Sequence, residues 1–391
     1  MDIKILKNID NYKNELLKEN YVLETFYDED DQTGIPKVKY VVFDIENNVR
    51  KEVLPEVKKY AIGKIKIVSV HDEHIYFFTI HGKTIILKKY NYVTEQCEDI
   101  LSFEDDISMY PIAKRLKVFV LNESYILVQH EYIRTNKDET CSGFFKFEAF
   151  LYNYLEGQFY SVVDENIVQN GISEIVEISE NMCVMKTGYS LLKDDRYKYL
   201  SREEVSVESI SIVNIGQFIS DVIISQKNVT VDTIHQTFFT HTIPYIDIEG
   251  GYLIYSSVDN IEHEEELFFF NLETKETINC INKNVCDEDA LASHHVIGGE
   301  PYISLKKSNV YEFINLKKAK VEFRFENDME LVTVNNDLFL LSGMKSKGLI
   351  RKETPFFEVY SYPGLNCILN EKGECTDLIC VSDDEIYIFT K

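Results

Sequence analysis

The amino-acid sequence predicts an all-β chain in which one unit of four strands repeats along 391 residues. Three observations support this fold class. A strand that ends in a turn-forming residue recurs along the chain, a second hairpin precedes most copies, and many strands are apolar on both faces. A repeat of about 45 residues with four strands is typical of folds in which small sheets stack face to face.

The first observation is an apolar strand that ends in Asp, Asn or Ser and leads into a short turn. These side chains bond to the backbone two residues further on, so they start tight turns at little cost. The position recurs at steps of 44 to 62 residues. The copy at residue 214 has the least regular flanking sequence, and residues 200–209 before it have a helical pattern. We predict structural turns at seven positions: Asp44, Asn91, Asn153, Asn214, Asn271, Asn315 and Ser361.

The second observation is the hairpin that precedes most of these copies. Residues 65–70 and 75–80 flank a polar turn, and residues 331–334 and 338–341 flank another. Two strands joined by such a turn form a β-hairpin. Two successive hairpins give the four strands of each unit.

The third observation is the apolar character of the strands. Residues 75–80 read Ile-Tyr-Phe-Phe-Thr-Ile, and residues 267–270 read Leu-Phe-Phe-Phe. A strand with one face in water alternates apolar and polar residues, whereas a strand covered on both faces does not. Sheets that pack against each other on both sides account for this pattern.

Period and strand pattern together resemble the β-propeller superfamily, in the broad sense that includes WD40 and kelch proteins. The resemblance covers nearly the whole chain. The chain has no Trp for the Trp-Asp signature of WD40 blades, and its glycine pairs, Gly250-Gly251 and Gly298-Gly299, do not recur in every blade. The resemblance therefore implies the fold without a subfamily, and it assigns no functional residue.

We predict a single β-propeller domain over residues 1–391, with seven four-stranded blades closed by pairing of N- and C-terminal strands. Six or eight blades, or a pair of β-sandwiches, are the alternatives. Residues 377–391 supply two closing strands, which residues 38–44 and 50–54 complete. Residues 1–20 form an extension with a short helix at 9–18, and residues 21–27 an extra strand.

Composition limits the environment and the partners. The net charge of −25 opposes binding to nucleic acids and to anionic membrane surfaces. No apolar stretch approaches the roughly 20 residues of a membrane helix. Eight cysteines without a CxxC pair indicate reduced thiols and a cytoplasmic protein. Abundant Lys, Ile, Asn and Glu, with no Trp, indicate a bacterial source.

The candidate sites are few. His71 and His74 are weak candidates for metal binding, because they stand three residues apart in a predicted turn, whereas the helical zinc motif places them four apart. We interpret them as part of a solvated turn and expect no metal or cofactor. No motif for a catalytic nucleophile or a phosphate loop is present, so catalytic residues stay unknown.

We predict a non-enzymatic scaffold that presents an acidic, rigid surface to a protein or peptide, a basic one in particular, and that acts as a monomer. Binding residues concentrate on loops held by a stiff framework, and a propeller supplies such loops. The alternative is an enzyme or small-ligand-binding protein whose residues converge in a central channel. His241 and His294 are candidates for that role.

Overall fold

The structure is a computed structural model. It describes residues 2–7, 13–18, 20–29, 36–53, 66–71, 73–81, 84–104, 116–133, 145–188, 208–237, 241–259, 264–281, 291–307, 310–326, 329–335, 337–347, 352–382 and 385–390. These residues contain 31 strands and two helices, and neither helix could span a bilayer. The six cysteines among them are free thiols.

Strands account for most of the described chain. The first part contains β1 (Asp2–Lys7), β2 (Lys13–Lys18), β3 (Tyr21–Glu29), β4 (Pro36–Asp44), β5 (Val49–Glu52), β6 (Lys66–His71), β7 (His74–His81), β8 (Thr84–Asn91), β9 (Cys97–Glu104), β10 (Leu116–Val120), β11 (Tyr125–Ile133), β12 (Phe145–Asn153), β13 (Gln158–Ser161), α1 (Glu165–Asn170), β14 (Ile172–Ser179), β15 (Met182–Thr187), β16 (Ser209–Asn214), α2 (Ile215–Ile223) and β17 (Asp232–Gln236). The second part contains β18 (His241–Glu249), β19 (Tyr252–Asp259), β20 (Glu265–Asn271), β21 (Thr277–Ile281), β22 (Leu291–Ile297), β23 (Glu300–Lys307), β24 (Val310–Asn315), β25 (Lys320–Glu326), β26 (Glu330–Asn335), β27 (Leu338–Lys347), β28 (Lys352–Ser361), β29 (Asn366–Lys372), β30 (Cys375–Ser382) and β31 (Glu385–Thr390).

These strands form eight small sheets. Seven contain four strands consecutive in the chain, which are β2–β5, β6–β9, β10–β13, β14–β17, β18–β21, β22–β25 and β26–β29. The eighth contains three strands in the order β1-β31-β30. A succession of small four-stranded sheets is the architecture of a β-propeller, and here it has eight blades.

The prediction of seven blades is wrong by one, and the turn residues explain the difference. Each of the seven predicted turn positions lies at the end of the third strand of a four-stranded sheet. In the described residues the eighth sheet has three strands, and none of the seven predicted turn positions belongs to it. Counting the turn residues therefore missed one sheet.

The N-terminal segment also differs from the prediction. Residues 1–20 contain two strands, β1 and β2, and the part of the proposed helix at 13–18 is β2. The rest of that helix, at 9–12, lies outside the described residues. A helix this short is marginal in isolation, so pairing of β2 with β3 determines the conformation. The extra strand at 21–27 is β3, the second strand of the first sheet.

Strands from both chain ends do meet in one sheet, but with a different partner from the one predicted. The two C-terminal strands are present as β30 and β31. Their partner is β1, which runs parallel to β31 from the pair Asp2 and Glu385 to the pair Lys7 and Thr390. Residues 38–44 and 50–54 were expected there. Instead β4 and β5 pair within the first sheet, because β2 and β3 already supply its other two strands.

By packing, the chain divides into two compact units. The first contains Met1–Glu56, Asp247–Tyr255 and Glu266–Lys391, and the second contains Val57–Ile246 and Ser256–Glu265. Each has its own buried apolar clusters between neighbouring sheets. In the first unit, for example, Leu340 and Val359 pack with Ile386 and Ile388. In the second unit a cluster joins β11 and β12 to β15 and both helices.

A buried ion pair links the first sheet to the eighth. The Glu24 carboxylate on β3 is fully buried and accepts bonds of 2.9 and 3.0 Å from Nε and Nη2 of Arg50 on β5. The same Nη2 donates to the carbonyl of Lys7 on β1 at 3.0 Å. The guanidinium also lies 3.7 Å from the ring centre of Phe43. One arginine thus neutralises a buried carboxylate and ties β1 to the neighbouring sheet.

We expect Arg50→Leu to lower the free energy of unfolding by about 3 kcal/mol or more, because it leaves the Glu24 charge buried and unpaired. Removing both charges, with Glu24→Leu and Arg50→Leu together, recovers part of the loss. Urea denaturation monitored by circular dichroism measures these differences.

The matched control is Arg324, which donates to Glu312 at 2.8 Å but is 60% exposed. Arg324→Leu is expected to cost less than about 1 kcal/mol, since exposed pairs contribute little. Equal losses for Arg50→Leu and Arg324→Leu would contradict the structural role given to the buried pair.

Candidate docking surface

In each four-stranded sheet, the first turn and the last turn lie side by side. A backbone N–H just after the third strand donates to a carbonyl at the first turn. In the second unit these bonds run from Tyr92 to Glu73 (3.1 Å), from Tyr154 to Ser124 (3.1 Å) and from Ile215 to Asn181 (2.9 Å). The two hairpin turns of a sheet therefore form one rigid surface feature.

Most of the predicted turn residues hold these turns through their side chains. Oδ1 of Asn91 accepts from the N–H groups of Val93 and Thr94 at 3.0 and 2.8 Å. Equivalent bonds to Oδ1, from residues two or three places on, occur at Asn153, Asn271 and Asn315. Ser361 ends β28 immediately before the turn at 362–365. These side-chain bonds fix the backbone of the turn, so the other residues of the turn can differ from one sheet to the next.

At Asp44 a carboxylate takes the place of the asparagine side chain in the turn. Its two carboxylate oxygens accept from the backbone N–H and the side-chain amide of Asn47, at 3.0 and 2.9 Å. Burial raises the pKa of Asp44, but the bonds from Asn47 and the charge of Lys51 outweigh it, so the pKa is lowered overall. The carboxylate is therefore held in its ionised form.

Asn214 differs from the other positions because a helix replaces the short turn. Its Oδ1 accepts from the N–H of Gln217 at 2.9 Å and so caps the N-terminus of α2. The helix buries Phe218, Ile219 and Val222 and packs against β13 and β16. The chain then returns to β17 through residues 224–231. We call residues 215–231 the insertion.

Buried carboxylates fix the returning part of the insertion. Asp221 accepts from the side chain of Gln217 at 2.7 Å and from the N–H of Thr230 at 2.8 Å. Burial raises the pKa of Asp221, yet these bonds lower it overall. Asp164, the N-cap of α1, accepts from the N–H of Val229 at 2.9 Å. The returning part of the insertion is thus bonded to Asp221 of α2 and to Asp164 at the start of α1.

Several large apolar side chains are exposed in these turns and in the insertion. Leu155, in the turn before β13, is 71% exposed, and Ile224, at the C-terminus of α2, is 66% exposed. Val93 and Val231 are exposed to a smaller extent. We call the turns at 92–96, 121–124, 154–157 and 180–181, together with the insertion, the turn surface.

The exposed charges of the turn surface are mostly negative. Glu95, Glu123, Glu156 and Glu180 are exposed carboxylates, one from each turn. The only Lys or Arg among the residues of this surface is Lys227. Apolar groups bordered by carboxylates suit the binding of a segment that is apolar on one side and basic on the other.

His71 and His74, the weak candidates for metal binding, face each other across the turn between β6 and β7. Nδ1 of His71 lies 3.9 Å from a carboxylate oxygen of Glu177, and Nε2 of His74 lies 3.3 Å from the side-chain amide of Asn91. In the described parts of the chain, no three His, Cys, Asp or Glu side chains are grouped closely enough to hold a metal ion. The structure thus places a carboxylate near His71 and an amide within hydrogen-bonding distance of His74.

Of the two histidines considered for a small-ligand site, His241 is 45% exposed and His294 packs against an aromatic ring. Nε2 of His241 lies 3.8 Å from Oδ2 of Asp259. The ring of His294 packs edge-to-face on Phe269, with ring centres 6.4 Å apart. The adjacent His295 is buried, and its Nε2 lies 2.8 Å from Oγ of Ser304. Burial, and then the neighbouring His294, lower the pKa of His295 to about 3.

Sequence reasoning missed the residues that distinguish the turn surface. Leu155 was not selected because it lies in a predicted turn beside Glu156 and Gly157, and Ile224 was not selected because it continues the apolar run of Val222 and Ile223. A signal was present at Asn214, where the irregular flanks marked a departure from the repeat. The segment 215–223 places Ile215, Phe218, Ile219 and Val222 at helical spacing, which predicts an amphipathic helix.

No protein family matches the sequence, and no curated protein is similar to it. Among solved structures, the chain is similar to an acylaminoacyl peptidase from Pyrococcus horikoshii, with 10% identity and a TM-score of 0.45 over 89% of this chain and 50% of that one. It is similar to dipeptidyl peptidase 4 from Porphyromonas gingivalis, with 10% identity and a TM-score of 0.49 over 90% and 50%.

A third similar structure is the β-propeller domain of the Trilobed protease from Pyrococcus furiosus, with 10% identity and a TM-score of 0.43 over 91% of this chain and 96% of that one. The chain spans half the length of the first two proteins. Identity this low transfers no activity, because one fold carries many functions.

We expect His295 to make the stability of the protein depend on pH. Its pKa is lower in the folded state than in the unfolded state, so the unfolded chain binds the proton first as the pH falls through 6.5. The free energy of unfolding is therefore expected to fall by about 2 kcal/mol between pH 7 and pH 5 from this residue.

His295→Gln keeps a donor for Ser304 and removes the titrating group. Urea denaturation of both proteins at several pH values separates the contribution of His295 from that of the carboxylates. A variant that loses stability with the same pH dependence as the wild type would contradict this assignment.

Proposed function

We propose that this protein is an interaction scaffold, and that its turn surface docks a basic amphipathic segment of a partner protein. The observation that carries the proposal is the combination of exposed apolar side chains, above all Leu155 and Ile224, with four exposed glutamates in a surface that has one lysine. Large exposed apolar groups on a rigid framework are typical of protein-binding sites.

The order of this surface before binding supports the proposal, as does the departure of the insertion from the repeated turn. Its turns are held by backbone bonds between neighbouring hairpins, and its insertion is held by Asp164 and Asp221. A surface that is ordered before binding loses little conformational entropy when a partner docks. The insertion is also the one place among the described turns where a helix replaces the repeated turn, and such departures from a regular fold are expected at functional sites.

Charge supports a basic partner. The net charge of −25 attracts basic segments over a distance, and the glutamates of the turn surface continue this field into the contact. Electrostatic attraction of this kind raises the association rate, and the buried apolar anchors then set the lifetime of the complex.

The test uses a defined probe, a labelled amphipathic peptide of leucine and lysine, about 14 residues long and patterned at the helical period. We expect the double variant Leu155→Ser, Ile224→Ser to bind it about ten-fold more weakly or worse, as each side chain contributes one to three kcal/mol when it is buried. Fluorescence anisotropy measures the dissociation constant.

Met344, on β27, supplies the matched control because it is 64% exposed but lies outside the turn surface. Met344→Ser is expected to leave the affinity unchanged. A second control peptide carries glutamate in place of lysine and is expected not to bind. The proposal is wrong if Met344→Ser weakens binding as much as the double variant does.

A second measurement separates charge from apolar contact. We expect Glu95→Gln, Glu123→Gln and Glu156→Gln together to reduce the salt dependence of binding, since fewer carboxylates then attract the peptide. Glu371→Gln with Glu374→Gln, both exposed near β29, is the control. Equal salt dependence in the triple variant and the wild type would contradict the electrostatic part of the proposal.

A further inference from the structure

An aromatic residue stands immediately before the predicted turn residue in several sheets, and a positive charge covers its ring in two of them. In the first sheet the guanidinium of Arg50, directly opposite on the fourth strand, lies 3.7 Å from the ring centre of Phe43. In the sheet β18–β21 the ammonium group of Lys275, in the turn, lies 5.6 Å from the ring centre of Phe270. This position therefore accepts a cation on an aromatic ring.

The sheet β10–β13 departs from this arrangement. Its aromatic residue is Tyr152, and the residue opposite it on the fourth strand is Phe159. The two rings are stacked, with centres 4.2 Å apart and planes inclined by 21°. Tyr152 is buried, whereas Phe159 is 53% exposed. Phe159 thus covers Tyr152, as Arg50 covers Phe43, and presents a second aromatic surface to solvent.

Phe159 is held beside the turn surface by a rigid hairpin. It is the second residue of β13 and follows the turn at 154–157, whose backbone N–H groups are bonded to the side chain of Asn153. The same turn exposes Leu155 and Glu156. An aromatic ring that is fixed on one side and open on the other loses little conformational entropy when a partner docks.

A contact on the preceding sheet shows which ligand suits this place. The ammonium group of Lys89, on β8, lies 5.4 Å from the ring centre of Tyr154 and 3.9 Å from Oε1 of Glu98. An aromatic ring and a carboxylate thus already hold a lysine in this part of the second unit. Phe159 offers a second ring, Glu156 in the preceding turn supplies a carboxylate, and the net charge of −25 favours a cation.

We propose that Phe159 binds a lysine or arginine side chain of the partner segment, with the cation on the exposed face of the ring. The inference rests on the proposed function, because it extends the turn surface by one residue and identifies a contact for the basic side of the segment. Leu155 then binds the apolar side of the segment, and Phe159 binds one of its basic residues. The two contacts on one rigid hairpin select a basic amphipathic segment over one that is only apolar.

The first test introduces a trifluorinated phenylalanine at position 159. Fluorination keeps the shape and the apolar character of the ring but removes the negative potential of its face. We expect the labelled leucine-lysine peptide to bind this protein about three-fold more weakly than it binds the wild type. Phe159→Tyr is expected to retain the affinity, because its ring keeps a negative face. Fluorescence anisotropy measures the dissociation constants.

A double-mutant cycle identifies the cation. In a series of peptides, each lysine in turn is replaced by norleucine, which has an apolar stem without the charge. We expect Phe159→Leu to weaken binding of the lysine peptide about three-fold, and to have no effect on the peptide that lacks the lysine in contact with the ring.

The control for this cycle is Val332→Ala. Val332 is 38% exposed on β26 of the first unit, outside the turn surface. The substitution is expected to leave the binding of every peptide unchanged. Circular dichroism and urea denaturation confirm that the variants fold.

The outcomes separate the two proposals. Equal or tighter binding by the trifluorinated protein would overturn the inference, because the contact would then be purely apolar. So would a loss from Phe159→Leu that is the same for every norleucine peptide. In either case the effect of Leu155→Ser with Ile224→Ser still decides the docking proposal by itself. A wild-type protein that does not bind the lysine peptide would contradict the docking proposal, and the inference with it.

Discussion

The parallel pairing of β1 with β31 is the contact on which the first unit depends. It brings residues 2–7 beside residues 385–390, and contacts so distant in sequence carry a large entropic cost of closure. Burial compensates for that cost. Ile386 and Ile388 enter one apolar cluster on one face of β31, and Tyr387 and Phe389 enter another on the opposite face. Polar contacts add to this, with the hydroxyl of Tyr387 donating to Asn20 at 3.1 Å.

Elsewhere most of the four-stranded sheets repeat one local arrangement. An Asn or Asp ends the third strand, its side chain closes the turn, and a backbone bond joins that turn to the first hairpin. Such local contacts form cheaply and need no special side chains between the strands. The turn surface includes a place where this repetition is interrupted, because the insertion after Asn214 replaces a turn in one sheet.

The sequence predicted the repeated part of the fold well, because turn chemistry and apolar strands are local properties. Asn91 and Asn153 mark their turns without any knowledge of tertiary structure. The blade count could not be obtained in this way, since none of the seven predicted turn positions belongs to the eighth sheet. The role of Asp2–Lys7 depends on a partner more than 370 residues away, and its alternating charges conceal a strand. The exposure of Leu155 and Ile224 depends on how the turn and α2 pack in the folded chain, which the sequence alone does not show.

Native-state hydrogen exchange is the most direct test of the pairing between the chain ends. The full-length chain is compared with a chain that begins at residue 8. We predict that the amides of β31 exchange only by global unfolding in the full-length chain, and at least about a hundred-fold faster in the shortened one. Exchange in β7 and β11 of the second unit is expected to change far less. Unchanged protection of β31 after removal of β1 would contradict the account.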